Sequence, residues 1–311
     1  MSGTPSGEPA AGARVAFLIG AGRSGTTLLQ KLLCLHPRVA YISNYENRVG
    51  WLPDGWASGL VAQRIGDKLA AWFDQGGNAY FVRRPLLKRI MPTPHEGEFM
   101  FRDCGMPLFP PPDYAPDANT IDCLRRRFER LRRRAHGTMF ISKRTANNRR
   151  IGALAQVFPA ARYLHLVRDG REVAQSLAEV EWWDQHPVWW DGRNPQELER
   201  DGMPRLQVCA RNWVRELREI RRSLAGIDPR RQMELRFEAL LREPSVHLER
   251  VMRFLGLDFP PAYAAAIDSL KLRPGRSRWA RDWSPEQLAC VLAEAGAMLR
   301  ELGYADSAGD G

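Results

Sequence analysis

The stretch Val15-Ala16-Phe17-Leu18-Ile19-Gly20-Ala21-Gly22-Arg23-Ser24-Gly25-Thr26-Thr27-Leu28-Leu29 decides the fold. Its apolar first third reads as a buried strand. Leu28, Leu29, Leu32 and Leu33 then recur at helical spacing, and the helix stops before Pro37. A Gly-rich turn joins the two. Where a buried strand turns into a helix, free N–H groups and the helix dipole favour an anion. Against the pattern G-x-x-x-x-G-K-[ST], Gly20, Gly25 and Thr27 fit. Thr26 stands in the lysine position, and the basic residue Arg23 lies inside the loop instead. No apolar strand ending in a magnesium-binding Asp stands out. The turn therefore reads as a site for a phosphate-like group that is not held as a magnesium triphosphate.

Further along, residues 138–142 read as a strand, and Ile151, Leu154, Ala155 and Phe158 as a helical stripe ending at Pro159. Residues 163–167 are a buried strand, after which Asp169 can cap a helix carrying Val173, Leu177 and Val180. Residues 232–236 are a further strand candidate. Strands alternating with helices predict an α/β fold, a P-loop-type parallel sheet flanked by helices. The C-terminal third reads as mostly helical. A helix over 207–225 carries Leu217, Ile220 and Leu224, and a last one starts at the capping box Ser284-Pro285-Glu286-Gln287 and is closed by Gly303. One domain is expected over 14–304, between a disordered tail at 1–13 and a flexible tail at 305–311. Two irregular insertions are expected, at about 76–117 and 182–205. The second opens with Trp182-Trp183-Asp184-Gln185-His186-Pro187-Val188-Trp189-Trp190, four of the ten tryptophans, which is too concentrated for core packing alone.

Composition excludes several classes. With 311 residues, 44% of them hydrophobic and 26% charged, the chain is globular and long enough to need no disulfide or metal staple. No run of 18 apolar residues exists, so no integral membrane segment is expected, and the N-terminus carries no recognisable secretion signal. The five cysteines, Cys34, Cys104, Cys123, Cys209 and Cys290, are odd in number and scattered. They predict neither a disulfide framework nor a Cys-rich metal site, and point to a reduced, cytoplasmic compartment. The net charge of +10 favours an anionic partner. The basic run over 125–134 reads as a solvated helix face. Zinc-finger spacing and the aromatic–basic signature of RNA-binding modules are missing, so nucleic acid is not expected.

The loop Gly22-Arg23-Ser24-Gly25-Thr26-Thr27-Leu28-Leu29, followed by His36-Pro37, resembles the phosphosulfate-binding loop of the sulfotransferase family. Val167-Arg168-Asp169-Gly170-Arg171-Glu172-Val173-Ala174-Gln175-Ser176 resembles that family's second signature. The likeness is nearest to tyrosylprotein sulfotransferases and related bacterial enzymes. It extends to Ser142-Lys143, to 158–162, to 236–241, to Arg276-Ser277-Arg278-Trp279 and to 299–304. It implies an enzyme that moves a sulfuryl group from 3′-phosphoadenosine 5′-phosphosulfate (PAPS) to a hydroxyl, in line and without metal. The competing reading is a P-loop kinase or nucleotide hydrolase, against which Thr26 speaks. A non-catalytic anion- or nucleic-acid-binding protein is the third.

The resemblance also implies roles. Arg23 and Lys143 would stabilise charge on the leaving phosphate. Ser24, Gly25, Thr26 and Thr27 would bind the 5′-phosphate and sulfonate. Arg168 and Ser176 would bind the 3′-phosphate, although eight residues of helix rise roughly 12 Å, so spacing alone does not pair them. Phe237 stands where relatives carry Tyr against the nucleotide, and Arg278 matches a basic residue near it. Glu46 follows His36-Pro37 at nearly the spacing of the tyrosylprotein branch's catalytic glutamate, which makes it the expected general base. His36 belongs to the loop's structure, and His186 is an outside candidate for the base. The expected partners are a small-molecule, glycolipid or peptide acceptor and, for assembly, a second copy in a homodimer.

Overall fold

The computed structural model describes residues 14–49, 51–73, 90–111, 113–275 and 277–304. The two tails and the first part of the 76–117 insertion lie outside the described residues. In chain order the elements are β1 (Val15–Ile19), α1 (Thr26–Leu35), β2 (Val39–Ala40), α2 (Asn44–Arg48), α3 (Trp56–Leu60), α4 (Ile65–Trp72), α5 (Glu98–Asp103), α6 (Ala118–Arg134) and β3 (Met139–Lys143). They continue with α7 (Ile151–Val157), β4 (Arg162–Val167), α8 (Gly170–Ala178), α9 (Pro195–Arg200), α10 (Arg205–Leu224) and β5 (Gln232–Arg236). The last are α11 (Phe237–Arg242), α12 (Pro244–Leu255), α13 (Pro261–Ser269), α14 (Arg278–Asp282) and α15 (Pro285–Glu301).

The five strands form one parallel sheet in the order β2-β3-β1-β4-β5. The alternation of a strand sorts its side chains to opposite faces. Ala16 and Leu18 of β1 join a core with α1, α11, α12 and α13, whereas Val15, Phe17 and Ile19 join one with α6, α7 and the end of α10. A third core gathers α8, α10 and α15 around the buried Trp213. The α/β class and the helical C-terminal third are as the sequence predicts, and the Ser284 capping box and the Asp169 cap both form.

The register brings Leu18 opposite Lys143 and Leu164, and Val167 opposite Arg236. The residues that follow β1, β3, β4 and β5 therefore emerge along one carboxyl edge. The chain leaves β1 towards β2 but leaves β4 towards β5. This switch point between β1 and β4 is where open α/β sheets place ligands.

Three sequence expectations change. The stretch expected to be irregular to residue 117 contains α5, whose Met100 and Phe101 are buried with Leu124 and Phe128 of α6. The stretch 182–205 contains α9, started by a capping box at Asn194, and buries Trp183, Val188 and Leu198 together. The cysteines do form a disulfide: Cys104 at the end of α5 is bonded to Cys123 of α6, with a Cα–Cα distance of 5.5 Å. The pair is made by helix packing, which cysteine spacing does not report, and the reduced-compartment argument loses its basis. The basic run does lie on a helix, α6, which buries Leu124, Phe128 and Leu131 and leaves Arg125, Arg126, Arg130, Arg133 and Arg134 exposed. Among the described residues, no helix is long and apolar enough to cross a membrane.

Candidate functional site

The loop after β1 is shaped by close packing. Gly25 precedes α1 with φ of 89°, and a Cβ there would lie 2.3 Å from the Phe237 ring. Gly20 has φ of 156°, and its Cβ would lie 2.6 Å from the Leu166 carbonyl oxygen. Arg23 is left-handed, with φ of 69°. The loop's start is clamped by Asn148, which accepts from the Gly20 N–H (3.2 Å) and donates to the Gly20 carbonyl (3.0 Å). Asn148 also donates to buried Glu216 of α10 (2.7 Å), which takes a second hydrogen bond from Arg149 (2.6 Å). Ser24 Oγ is buried at the head of α1 with no hydrogen-bond partner among the described residues.

Three cations converge on this loop. Arg23 donates through Nε to Ser176 Oγ (3.0 Å), and Arg168 donates to the Arg23 carbonyl (3.1 Å) and to Glu172 (3.2 Å). Arg23 is thus the bridge that links Arg168 and Ser176, which helix rise holds apart. The Arg168 guanidinium lies 4.9 Å from the centre of the Phe237 ring, so Phe237 supports both the loop and the arginine. Burial pushes the Glu172 carboxyl up, and Arg168 opposes this. Lys143 closes β3 and donates to Thr27 Oγ1 (3.1 Å) and to Glu96 Oε1 (2.5 Å). Arg278 lies to one side of this group: its backbone N–H donates to Glu172 (3.0 Å) and its guanidinium pairs with Glu179.

A cavity of about 390 Å³ opens over the loop. Its floor includes Arg23, Thr27, Lys143 and Glu96, and its walls include Phe109, Trp182, Trp183 and Trp189. Arg149 lies between the Phe109 and Trp189 rings, 4.9 and 5.1 Å from their centres. The Trp-rich stretch and the end of the 76–117 insertion therefore face one another across the cavity. His186 also lines it, exposed and hydrogen-bonded through Nδ1 to the Trp182 carbonyl (2.9 Å).

Glu46 is elsewhere. It is buried at the third position of α2, where it accepts from the Ser43 N–H (2.8 Å), the Ser43 hydroxyl and the Ala57 N–H (3.2 Å). It does not line the cavity. His36 is buried at the end of α1 beside Asp258 and accepts from the Arg38 N–H (3.1 Å); burial pushes its pKa down to about 4. Sequence reasoning missed Glu96, Asn148, Arg149 and Glu216. The cluster His95-Glu96-Gly97-Glu98 was the one visible signal, masked by the Pro- and Gly-rich run around it.

A family model described as the sulfotransferase family matches residues 16–261. The omega-hydroxy-beta-dihydromenaquinone-9 sulfotransferase Stf3 of Mycobacterium bovis is 26% identical over 263 residues, 78% of this chain. The chain spans 62% of the length of that relative. Among solved structures, sulfotransferase STF9 from Mycobacterium avium matches with a TM-score of 0.59 at 18% identity, over 94% of this chain and 77% of that one. Sulfotransferase STF1 from Mycobacterium tuberculosis matches with a TM-score of 0.51 at 16% identity, over 94% and 76%. With a family model that covers most of its length and a fold of the same kind, the chain belongs to the sulfotransferase family.

Proposed function

We propose that this protein transfers a sulfuryl group from PAPS to a hydroxyl on an acceptor with an apolar or aromatic body. The observation that carries this reading is the convergence of Arg23, Lys143 and Arg168 on a loop whose buried Ser24 hydroxyl has no partner among the described residues. The donor's two anionic ends fit that set. Ser24, Thr26, Thr27 and the first N–H groups of α1 would hold the 5′-phosphosulfate. Arg168 and Ser176 would hold the 3′-phosphate, with the Arg168 fork suited to bidentate contact. PAPS supplies the activated sulfuryl group. Arg23 and Lys143 would meet the charge that develops on the leaving phosphate, as preorganised cations do in a site screened from water. Arg278 would act from the margin, through Glu172, which it shares with Arg168.

The acceptor side rests on the cavity walls. Phe109, Trp182, Trp183 and Trp189 offer apolar faces in the same cavity as Arg23 and Thr27 of the loop. The M. bovis relative is named for an omega-hydroxy-beta-dihydromenaquinone-9; a lipid or aromatic small molecule suits these walls better than a peptide. The kinase reading is the weaker one, because the lysine that reaches the loop comes from β3 rather than from the loop itself. Thermal shift separates the two readings. Adenosine 3′,5′-bisphosphate should raise the melting temperature by several degrees, and ATP with magnesium should not. The reverse order would replace this reading with a phosphoryl-transfer one.

A further inference from the structure

We propose that Glu96 is the catalytic base for the acceptor hydroxyl and that Lys143 holds it in reserve until the donor reacts. The inference rests on the sulfuryl-transfer reading above. Glu96 reaches the cavity floor from a segment pinned on both sides. The His95 N–H donates to the Ile42 carbonyl (2.8 Å), and Pro94 bridges Ser43. On the other side, Glu98 takes two hydrogen bonds from the fully buried Arg150 (2.6 and 3.1 Å) and one from Arg144. Between these anchors the Glu96 carboxylate is fixed, one oxygen on Lys143 and the other on Arg144. It lines the same cavity as Arg23 and Thr27.

The geometry couples two events. Lys143 Nζ lies between Glu96 Oε1 (2.5 Å) and Thr27 Oγ1 of the loop (3.1 Å). Burial acts to raise the Glu96 pKa, but the charges of Lys143 and Arg144 outweigh it and hold the carboxyl below its usual range, so the group starts as an anion. During transfer the acceptor's O–H bond breaks and its proton passes to Glu96. The acceptor oxygen bonds to sulfur, the bond from sulfur to the bridging oxygen breaks, and that electron pair stays on the 5′-phosphate. The new charge draws Lys143 towards the leaving oxygen. Its hold on Glu96 relaxes, and the carboxylate becomes a stronger base as the proton arrives. Glu96 later returns the proton to solvent. Glu46 is held by Ser43 and Ala57 and does not line this cavity.

The role predicts opposite changes in binding and rate. In Glu96→Gln a negative charge near the donor's anions is gone, so calorimetry should show adenosine 3′,5′-bisphosphate bound about threefold more tightly or better. Transfer from PAPS to 2-naphthol should fall by about 10²–10⁴ in kcat. Glu96→Asp keeps the charge but retracts the carboxylate; it should leave nucleotide affinity near wild type and still lower kcat. A structural role would weaken both quantities together. Unchanged or weaker nucleotide binding in folded Glu96→Gln, or undiminished transfer in either variant, overturns the proposal. Failure of the wild-type protein to bind the bisphosphate at all sinks the underlying reading instead.

Discussion

At the residue scale, two positions illustrate how chemistry and location separate. Arg168 sits at the end of β4, and its guanidinium is positioned by the Arg23 carbonyl and Glu172. Its replacement by Ala should weaken adenosine 3′,5′-bisphosphate by about 10–150-fold, the span of one charge-assisted hydrogen bond. Adenosine 5′-phosphate should be affected far less, and calorimetry with both ligands reads the difference directly. Glu46 should behave otherwise. Glu46→Gln removes the charged partner of the Ser43 and Ala57 N–H groups, so unfolding should become easier by about 1–2 kcal/mol. Transfer per folded molecule should drop much less than in Glu96→Gln. A kcat loss as large as that variant's, with normal stability, would return the base to Glu46. Both carboxylates follow a proline-punctuated stretch, and only the path of the chain tells them apart.

At the scale of elements, the strand–loop–helix units were readable because each carries its own signals. The apolar run at 15–19 and the strand candidate at 232–236 are strands with those bounds, and the strand expected at 138–142 is displaced by one residue so that Lys143 closes it. The short helices α2, α3 and α5 were not readable. Each is five or six residues long and is stabilised by packing more than by propensity. The α5–α6 pair is also where the disulfide lies. Among the described cysteines, Cys34, Cys209 and Cys290 stay free. Alkylation in denaturant should therefore label three thiols before reduction and five after it. Cys123→Ser should lower stability by roughly 3 kcal/mol, the effect expected for closing a loop of this length. Five reactive thiols in the unreduced protein would show that the bond is not formed.

At the scale of the molecule, the first helix and the C-terminal third are joined through His36. Its ring lies against Asp258 and Tyr263, and Tyr263 donates to the Leu32 carbonyl (3.0 Å). The folded pKa, about 4, is below the ordinary value of 6.5. Between these values the unfolded chain binds more protons, so stability falls as pH drops through that window, by up to roughly 3 kcal/mol from this group. Denaturant titrations between pH 7 and 4 should show a shallower loss in His36→Asn than in wild type; equal slopes would place the effect elsewhere. What the sequence determined by itself is local: buried strands, a Gly-rich turn at a helix head, caps, and a basic helix whose apolar stripe is spaced for burial. These signals span a few residues, so they survive without knowledge of the fold. The parallel order β2-β3-β1-β4-β5, the meeting of Arg23 with Ser176, the arrival of Glu96 beside Lys143 and the Cys104–Cys123 bond join residues from 19 to 153 positions apart. Such contacts depend on which faces the helices bury and where the chain reverses, and tertiary packing alone decides that.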